Sequence, residues 1–257
     1  MKRILLGLLL PIATLLVVSA PTSAQTASSA PARNESPAPA ASGIPAAPAI
    51  NANSTPIELA RAALAAQGGD KFKNLKNMWL VGTVDLTAPN SVQSIPGKFS
   101  LLTAGERMRL DVDASPIFKF KQIYDGQQSY SSMPGVQMPP ADRFGLPVLA
   151  KYDQQGYTVS AIPNEKKLRG FRIEDSSGNA TNFYVDPVSA RVMKYIIPYN
   201  GLSFGIENEK FKEVEGVLIP VNFMQRLEMP QGAFYATYHV KDVKLNQELA
   251  DDVFVIQ

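Results

Sequence analysis

LSFGIENEKFKEVEGVLIPVNFMQRLEMPQGAFYATYHV, from Leu202 to Val240, decides how the chain is read. It holds three long apolar-rich runs broken at Val214-Glu215-Gly216 and at Met229-Pro230-Gln231-Gly232, where Gly and Pro stand at turn-compatible spacing. Within the runs apolar residues recur at every second position: Leu202, Phe204, Ile206; Val217, Ile219, Val221, Phe223; Phe234, Ala236, Tyr238, Val240. A period of two places each set on one face of a strand, so the stretch predicts an antiparallel meander with one apolar face to bury.

The same period runs upstream. Strands are expected at Met78–Leu86, Gly97–Thr103, Glu106–Asp113, Ile117–Tyr124 and Gln128–Ser132, then at Tyr157–Ile162, Leu168–Glu174, Thr181–Val185 and Arg191–Ile197. Met108, Leu110 and Val112 face one way and Arg107, Arg109, Asp111 and Asp113 the other; Phe118 and Phe120 alternate with Lys119 and Lys121. A dry face opposite a charged face fits a half-wet sheet and opposes an outer-membrane barrel, whose lipid side must be apolar. Eleven or twelve strands are too many for one flat sheet, so the sheet must curl or split.

Ahead of the strands lie three segments. Met1-Lys2-Arg3, the apolar run Ile4–Val18 and small residues up to Ala24 form a signal peptide with cleavage expected after Ala24. Residues 25–54 contain ten alanines and five prolines and read as a disordered linker. Residues 55–257 form the folded domain. It opens on the capping box Thr55-Pro56-Ile57-Glu58, and its helix closes at Gly68-Gly69, with Ile57, Ala60 and Leu64 expected on the buried stripe. Asp70–Leu75 makes a second short turn that carries Phe72 and Leu75 onto the domain. Met133–Gly156, with Pro134, Pro139, Pro140, Pro147 and Phe144, reads as a long apolar connection that covers or gates the core, with a helical turn before Tyr152.

Charge and composition narrow the function. The net charge of +2 comes from Lys2 and Arg3, so residues 25–257 carry 25 − 2 = 23 basic and 23 acidic side chains. A neutral chain lacks the basic excess that nucleic-acid binding relies on. The absence of cysteine excludes disulfides, thiol catalysis and a lipid-modified anchor, so a soluble periplasmic address is expected, without stable membrane insertion. With one histidine, His239, expected on the wet face, neither a His-rich zinc site nor a Cys/His pair can form. Asp111 and Asp113 share a face with Arg107 and Arg109, which favours a cross-paired solvated surface over a catalytic carboxylate pair. No phosphate loop, GxSxG elbow or metal-ligand run is present. No catalytic residue, metal or cofactor is assigned, and a hydrolase ranks last.

The order of features resembles a family. A helix ends in Gly-Gly, a strand contains Gly82, and Glu106-Arg107-Met108-Arg109-Leu110-Asp111, Tyr124-Asp125-Gly126, Tyr184-Val185-Asp186-Pro187, Gly216-Val217-Leu218-Ile219-Pro220 and Val243-Lys244-Leu245-Asn246 to Phe254 follow. In this order the chain from Thr55 on resembles bacterial exported proteins of the periplasmic lipoprotein-carrier (LolA/LolB-like) superfamily, the outer-membrane lipoprotein-sorting type. The resemblance implies a mainly β domain: a strongly curved, unclosed antiparallel β-barrel of about eleven strands, with an N-terminal helix and a helical or loop plug on the concave side. It also implies an acyl-chain cargo. The Phe-Gln pair on the first strand of the true carriers has no counterpart here, where Trp79-Leu80-Val81-Gly82 stands, so lipoprotein sorting itself is not carried over.

Two readings of the dry face follow. In the first, Phe99, Leu101, Met108, Leu110, Phe118, Phe120, Phe204 and Phe223, with Trp79 beside them, line a cavity that shelters a lipid or acylated molecule, without enzymatic chemistry. In the second they fill an ordinary core, and the domain is an envelope scaffold whose partner is another envelope protein.

Overall fold

Alternation along the chain becomes one antiparallel sheet of twelve strands in the computed structural model, which describes residues 47–133, 139–140, 143, 145–229 and 232–256. The signal peptide (1–24), linker residues 25–46, and Pro134 and Phe144 of the long connection lie outside the described residues. The strands are β1 (Met78–Thr87), β2 (Ser94–Ala104), β3 (Arg107–Ala114), β4 (Phe118–Tyr124), β5 (Ser129–Ser131), β6 (Tyr157–Ala161), β7 (Arg169–Asp175), β8 (Ala180–Val185), β9 (Val192–Tyr199), β10 (Leu202–Val214), β11 (Val217–Met229) and β12 (Gly232–Leu245). Their spatial order is β5-β4-β3-β2-β1-β12-β11-β10-β9-β8-β7-β6. Two meanders therefore meet where the first strand pairs with the last, and β5 and β6 remain as edges, so the sheet is not closed. The expected meander of Leu202–Val240 is β10-β11-β12.

Turn chemistry sets the registers. Glu215 and Gly216 both have positive φ between β10 and β11, and so do Asn200 and Gly201 between β9 and β10. Two successive residues in that region make the turn whose twist matches a hairpin. Gly82 has a different role. A Cβ there would sit 2.0 Å from the His239 carbonyl oxygen and 2.9 Å from the Phe99 ring. The register of β1 on β12 shifts at this same point, between Val81 and Gly82, so the missing side chain lets the bulged partner close in.

α1 (Pro56–Gln67) starts at the expected capping box: the Glu58 backbone N–H donates to Thr55 Oγ1, and the Thr55 N–H donates to Glu58 Oε2 at 2.7 Å. The Thr55 backbone hydrogen bond is the main cause that holds the Glu58 carboxyl below its ordinary pKa. The buried stripe differs from expectation. Ile57 is 45 % exposed, whereas Leu59, Ala60, Ala62, Ala63, Leu64 and Ala66 are buried. The helix lies inside the concave side against β6, β7 and β11, and its alanines let neighbours approach on more than one flank. Its C-terminus is tied to the β10–β11 hairpin. The Gln67 amide donates to the Leu218 carbonyl, and Gly68 packs so close to Gly216 that a Cβ would lie 2.7 Å from the Gly216 oxygen. α2 (Asp70–Lys73) and the turn after it place Phe72 and Leu75 on the core, as read from sequence.

Residues 47–54, given to the linker by composition, are held against the domain. Ala47 and Ile50 pack on Ala62, Ala66 and Ala190, and the Arg169 guanidinium donates to the carbonyls of Asn51 and Ser54.

Candidate functional site

The concave face divides into two parts. Over β6 to β9 it is filled. Leu59, Ala63 and Leu64 of α1, with Val148 and Leu149 of a 3-10 turn (Leu146–Lys151), cover Phe171, Ile173, Phe183 and Val185, each 0 % exposed. Phe171 and Phe183 stack at 5.2 Å between ring centres. The 3-10 turn is the helical element expected ahead of Tyr152.

Over β1 to β4 and β11 to β12 the same face carries an aromatic strip. Phe99 stands edge-on to Tyr238 at 4.9 Å, and Tyr238 stacks on Phe223 at 4.8 Å. Phe118 and Phe120 lie parallel at 6.3 Å. Phe99 and Leu110 are buried, while Leu101, Phe118, Phe120, Phe223, Ile95 and Phe234 are half-buried around them. Met108 shares their face by register, opposite Thr103 and Tyr124, and is half-buried. The Tyr238 hydroxyl donates to Gln225 Oε1 at 3.3 Å, and burial pushes its pKa far up, so the strip holds a neutral phenol.

Two residues named from sequence sit elsewhere. Phe204 belongs to a separate cluster with Ile197 and Leu227, which shares the half-buried Phe234 with the strip. Trp79 points to the convex face, where its indole N–H donates to Ser100 Oγ at 2.8 Å and the ring packs near Leu102, Ile123 and Phe254. Its parity on β1 opposes that of Leu80 and Val84, which sets its side. A residue missed from sequence is Gln122, a polar side chain on the concave parity of β4 between Phe120 and Tyr124, with 2 % exposure. The signal was in the alternation: Gln122 occupies a position where Phe118 and Phe120 predict an apolar residue.

The convex face is charged but not wholly solvated. Arg109 pairs with Asp111 at 2.6 Å and Lys119 with Asp113 at 3.4 Å, as cross-pairing predicts. The tail after β12 then crosses this face. Phe254 is buried at 3 % exposure beneath the Arg107 guanidinium, which lies 4.6 Å from the ring centre, and Arg109 Nη1 donates to the Val253 carbonyl. A cleft of about 270 Å³ remains between the tail and Arg109, Lys121 and Tyr130. A wider open cleft of about 610 Å³ lies at Tyr199, Leu202 and Met229, beside the β9–β10 turn. His239 is exposed on the convex face, 3.5 Å from Asp85, and among the described residues no three His, Asp or Glu come together as a metal site would require.

No protein-family model matches the sequence, and no curated protein matches it significantly. Among solved structures, a LolA superfamily protein from Nitrosomonas europaea superposes with a TM-score of 0.50 at 13 % identity, over 76 % of this chain and 97 % of that one. A Vibrio parahaemolyticus domain named for outer membrane lipoprotein sorting gives a TM-score of 0.49 at 10 % identity, over 77 % and 95 % of the two chains. What this chain shares with the first is the fold: a mainly β, unclosed antiparallel sheet with few helices.

Proposed function

We propose that the domain is a non-enzymatic carrier or binding protein of the periplasm that shelters a lipid or acylated molecule against the aromatic strip. The observation that carries this reading is the half-buried row Phe118, Phe120, Phe223 and Phe234 on the concave face, outside the cluster that α1 and the 3-10 turn cover. Burial of hydrocarbon gains about 0.8 kcal/mol per CH₂, so such a strip binds an acyl chain without any reactive group. The LolA-like fold supports the reading, and the export signal read from sequence gives it the address. Among the described residues no helix is long and apolar enough to cross a membrane.

The second reading, an envelope scaffold with a filled core, draws on the other half of the same face, where Phe171, Phe183 and Ile173 are fully buried beneath α1. Native mass spectrometry of the protein purified from its own periplasm separates the two. A co-purifying lipid mass supports the carrier; a bare chain that also takes up no added lipid favours the scaffold.

A further inference from the structure

The two edges of the sheet are finished differently. At one, β5 is only three residues long, and the part of β4 beyond it carries Lys119 and Lys121. A short last strand and lysines on an open rim keep other strands from pairing with a sheet. At the other, β6 (Tyr157-Thr158-Val159-Ser160-Ala161) holds no charge, no proline and no bulge. Its aromatic and β-branched residues favour a strand, and among the described residues only β7 pairs with it. Thr158, Ser160 and Ala161 are exposed, so this rim is open to an added strand.

The strand is complementary to itself. Two copies of β6 related by a two-fold axis through Val159 meet antiparallel, with both concave faces on one side. All five residues then pair, and residues directly opposite each other share a face. On the concave side, where Tyr157 and Val159 pack, Val159 meets Val159 of the second copy and Tyr157 meets its Ala161, a ring beside a methyl group. Both rows continue inward to buried neighbours, since Val159 pairs with Ile173 and Ala161 with Phe171. On the convex side Thr158 meets Ser160 of the second copy, two hydroxyls able to hydrogen-bond across the strands. Behind them on β7 stand Glu174, opposite Thr158, and Arg172, opposite Ser160, themselves paired at 3.5 Å. Each convex row therefore runs Glu174, Thr158, then Ser160 and Arg172 of the second copy, with opposite charges at its two ends. A shift of two residues, the smallest that keeps the faces together, sets Gly156 or Pro163 into the ladder and loses this pairing.

We propose that β6 is the contact between two copies of this chain, joined edge to edge about a two-fold axis so that two twelve-stranded sheets run on as one. A contact of this kind closes on itself and leaves the lysine-bearing edges outside. Five residues a side make a small interface, so the dimer forms reversibly at micromolar concentrations. The proposal does not depend on what the concave face binds.

Sedimentation velocity of the full chain across the micromolar range tests it, and the parent is expected to pass from monomer to dimer. Thr158→Lys with Ser160→Lys sets like charges opposite each other twice per dimer and should weaken association at least about tenfold. Thr158→Lys with Ser160→Glu sets opposite charges at the same places and should restore the dimer to parental strength or better. Both positions are exposed, and circular dichroism checks the fold. Should the double-lysine variant not fold, Thr158→Glu with Ser160→Glu supplies the same repulsion. A parent that stays monomeric throughout, a dimer indifferent to the like-charge substitutions, or one that the opposite-charge pair fails to restore overturns the proposal.

Discussion

The difference between the helix-covered half of the concave face and the half with the aromatic strip can be measured with two phenylalanines in one molecule. Phe171, 0 % exposed, stacks on Phe183 and lies in one cluster with Leu59, Ala63 and Leu149. Its replacement by alanine leaves a void walled by packed neighbours and costs roughly 3–5 kcal/mol. Phe120 is half-buried, with Phe118 parallel at 6.3 Å. It has fewer packing contacts to lose, and Phe120→Ala should cost about 1–2 kcal/mol. With a urea slope of about 3 kcal/mol/M, the upper end for small domains, the midpoints should fall by roughly 1–1.7 M for Phe171→Ala and roughly 0.3–0.7 M for Phe120→Ala. Comparing midpoints at a shared slope avoids the error of extrapolating to water. Equal losses for the two variants would show that the strip is packed as tightly as the helix-covered half, and the carrier reading would lose its structural basis.

Three further outcomes follow from single contacts. Gly82→Ala puts a methyl group within 2.0 Å of the His239 carbonyl, so β1 and β12 must part, and the variant should lose more than about 3 kcal/mol or fail to fold; a variant of parental stability would mean the bulge can relax. Burial raises the Asp186 pKa, but the Ser189 N–H and hydroxyl and the Val188 N–H outweigh it and hold the carboxyl below its ordinary value. A depressed folded pKa contributes stability above the unfolded value of about 4, lost as pH falls through the folded value. Asp186→Asn should therefore flatten the acid limb of a urea-midpoint-against-pH curve, and parallel curves for parent and variant would contradict this. Thr55→Ala removes the α1 cap and should cost about 1 kcal/mol. Because Gln67 and Gly68 tie the far end to the β10–β11 hairpin, it should leave the release rate of a bound acyl probe unchanged; faster release in stopped flow would make α1 a lid.

Much of the sheet was legible because each strand carries its own record of which side is wet. Lys119 and Lys121 against Phe118 and Phe120 give the sides of β4 without reference to any other strand. Three features were not local. The pairing of β1 with β12 joins residues at opposite ends of the domain, such as Met78 with Leu245, and no periodicity encodes it. The exposure of Ile57 depends on a helix buried on two flanks, which an alanine-rich stripe does not distinguish from one flank. The tail that places Phe254 under Arg107 makes part of the wet face an interface, although the charges of β3 read as solvated. For the site, the parities of Phe99, Leu110, Phe118 and Phe120 were readable, but Phe204 shares the parity and joins another cluster, since its register partner is Leu227, while Phe223 of the strip pairs with Asn208 farther along β10.

Dimensions explain why α1 by itself spans part of the face. Twelve strands have eleven spacings of about 4.8 Å, so the sheet runs roughly 53 Å along its hydrogen bonds. The twelve residues of α1 extend only about 18 Å. The helix is fixed over β6, β7 and β11 by the grip of Arg169 on the residues before it and by the hairpin at its end, so it cannot be shared with β2 to β4. On that part of the face Phe72 and Leu75 pack from α2 and the turn after it, and the strands themselves supply five aromatic rings: Phe99, Phe118 and Phe120 from β2 and β4, Phe223 from β11 and Tyr238 from β12. Three of them, Phe118, Phe120 and Phe223, stay half-buried even so. In the carrier reading, that residual apolar surface is what an acyl chain would cover.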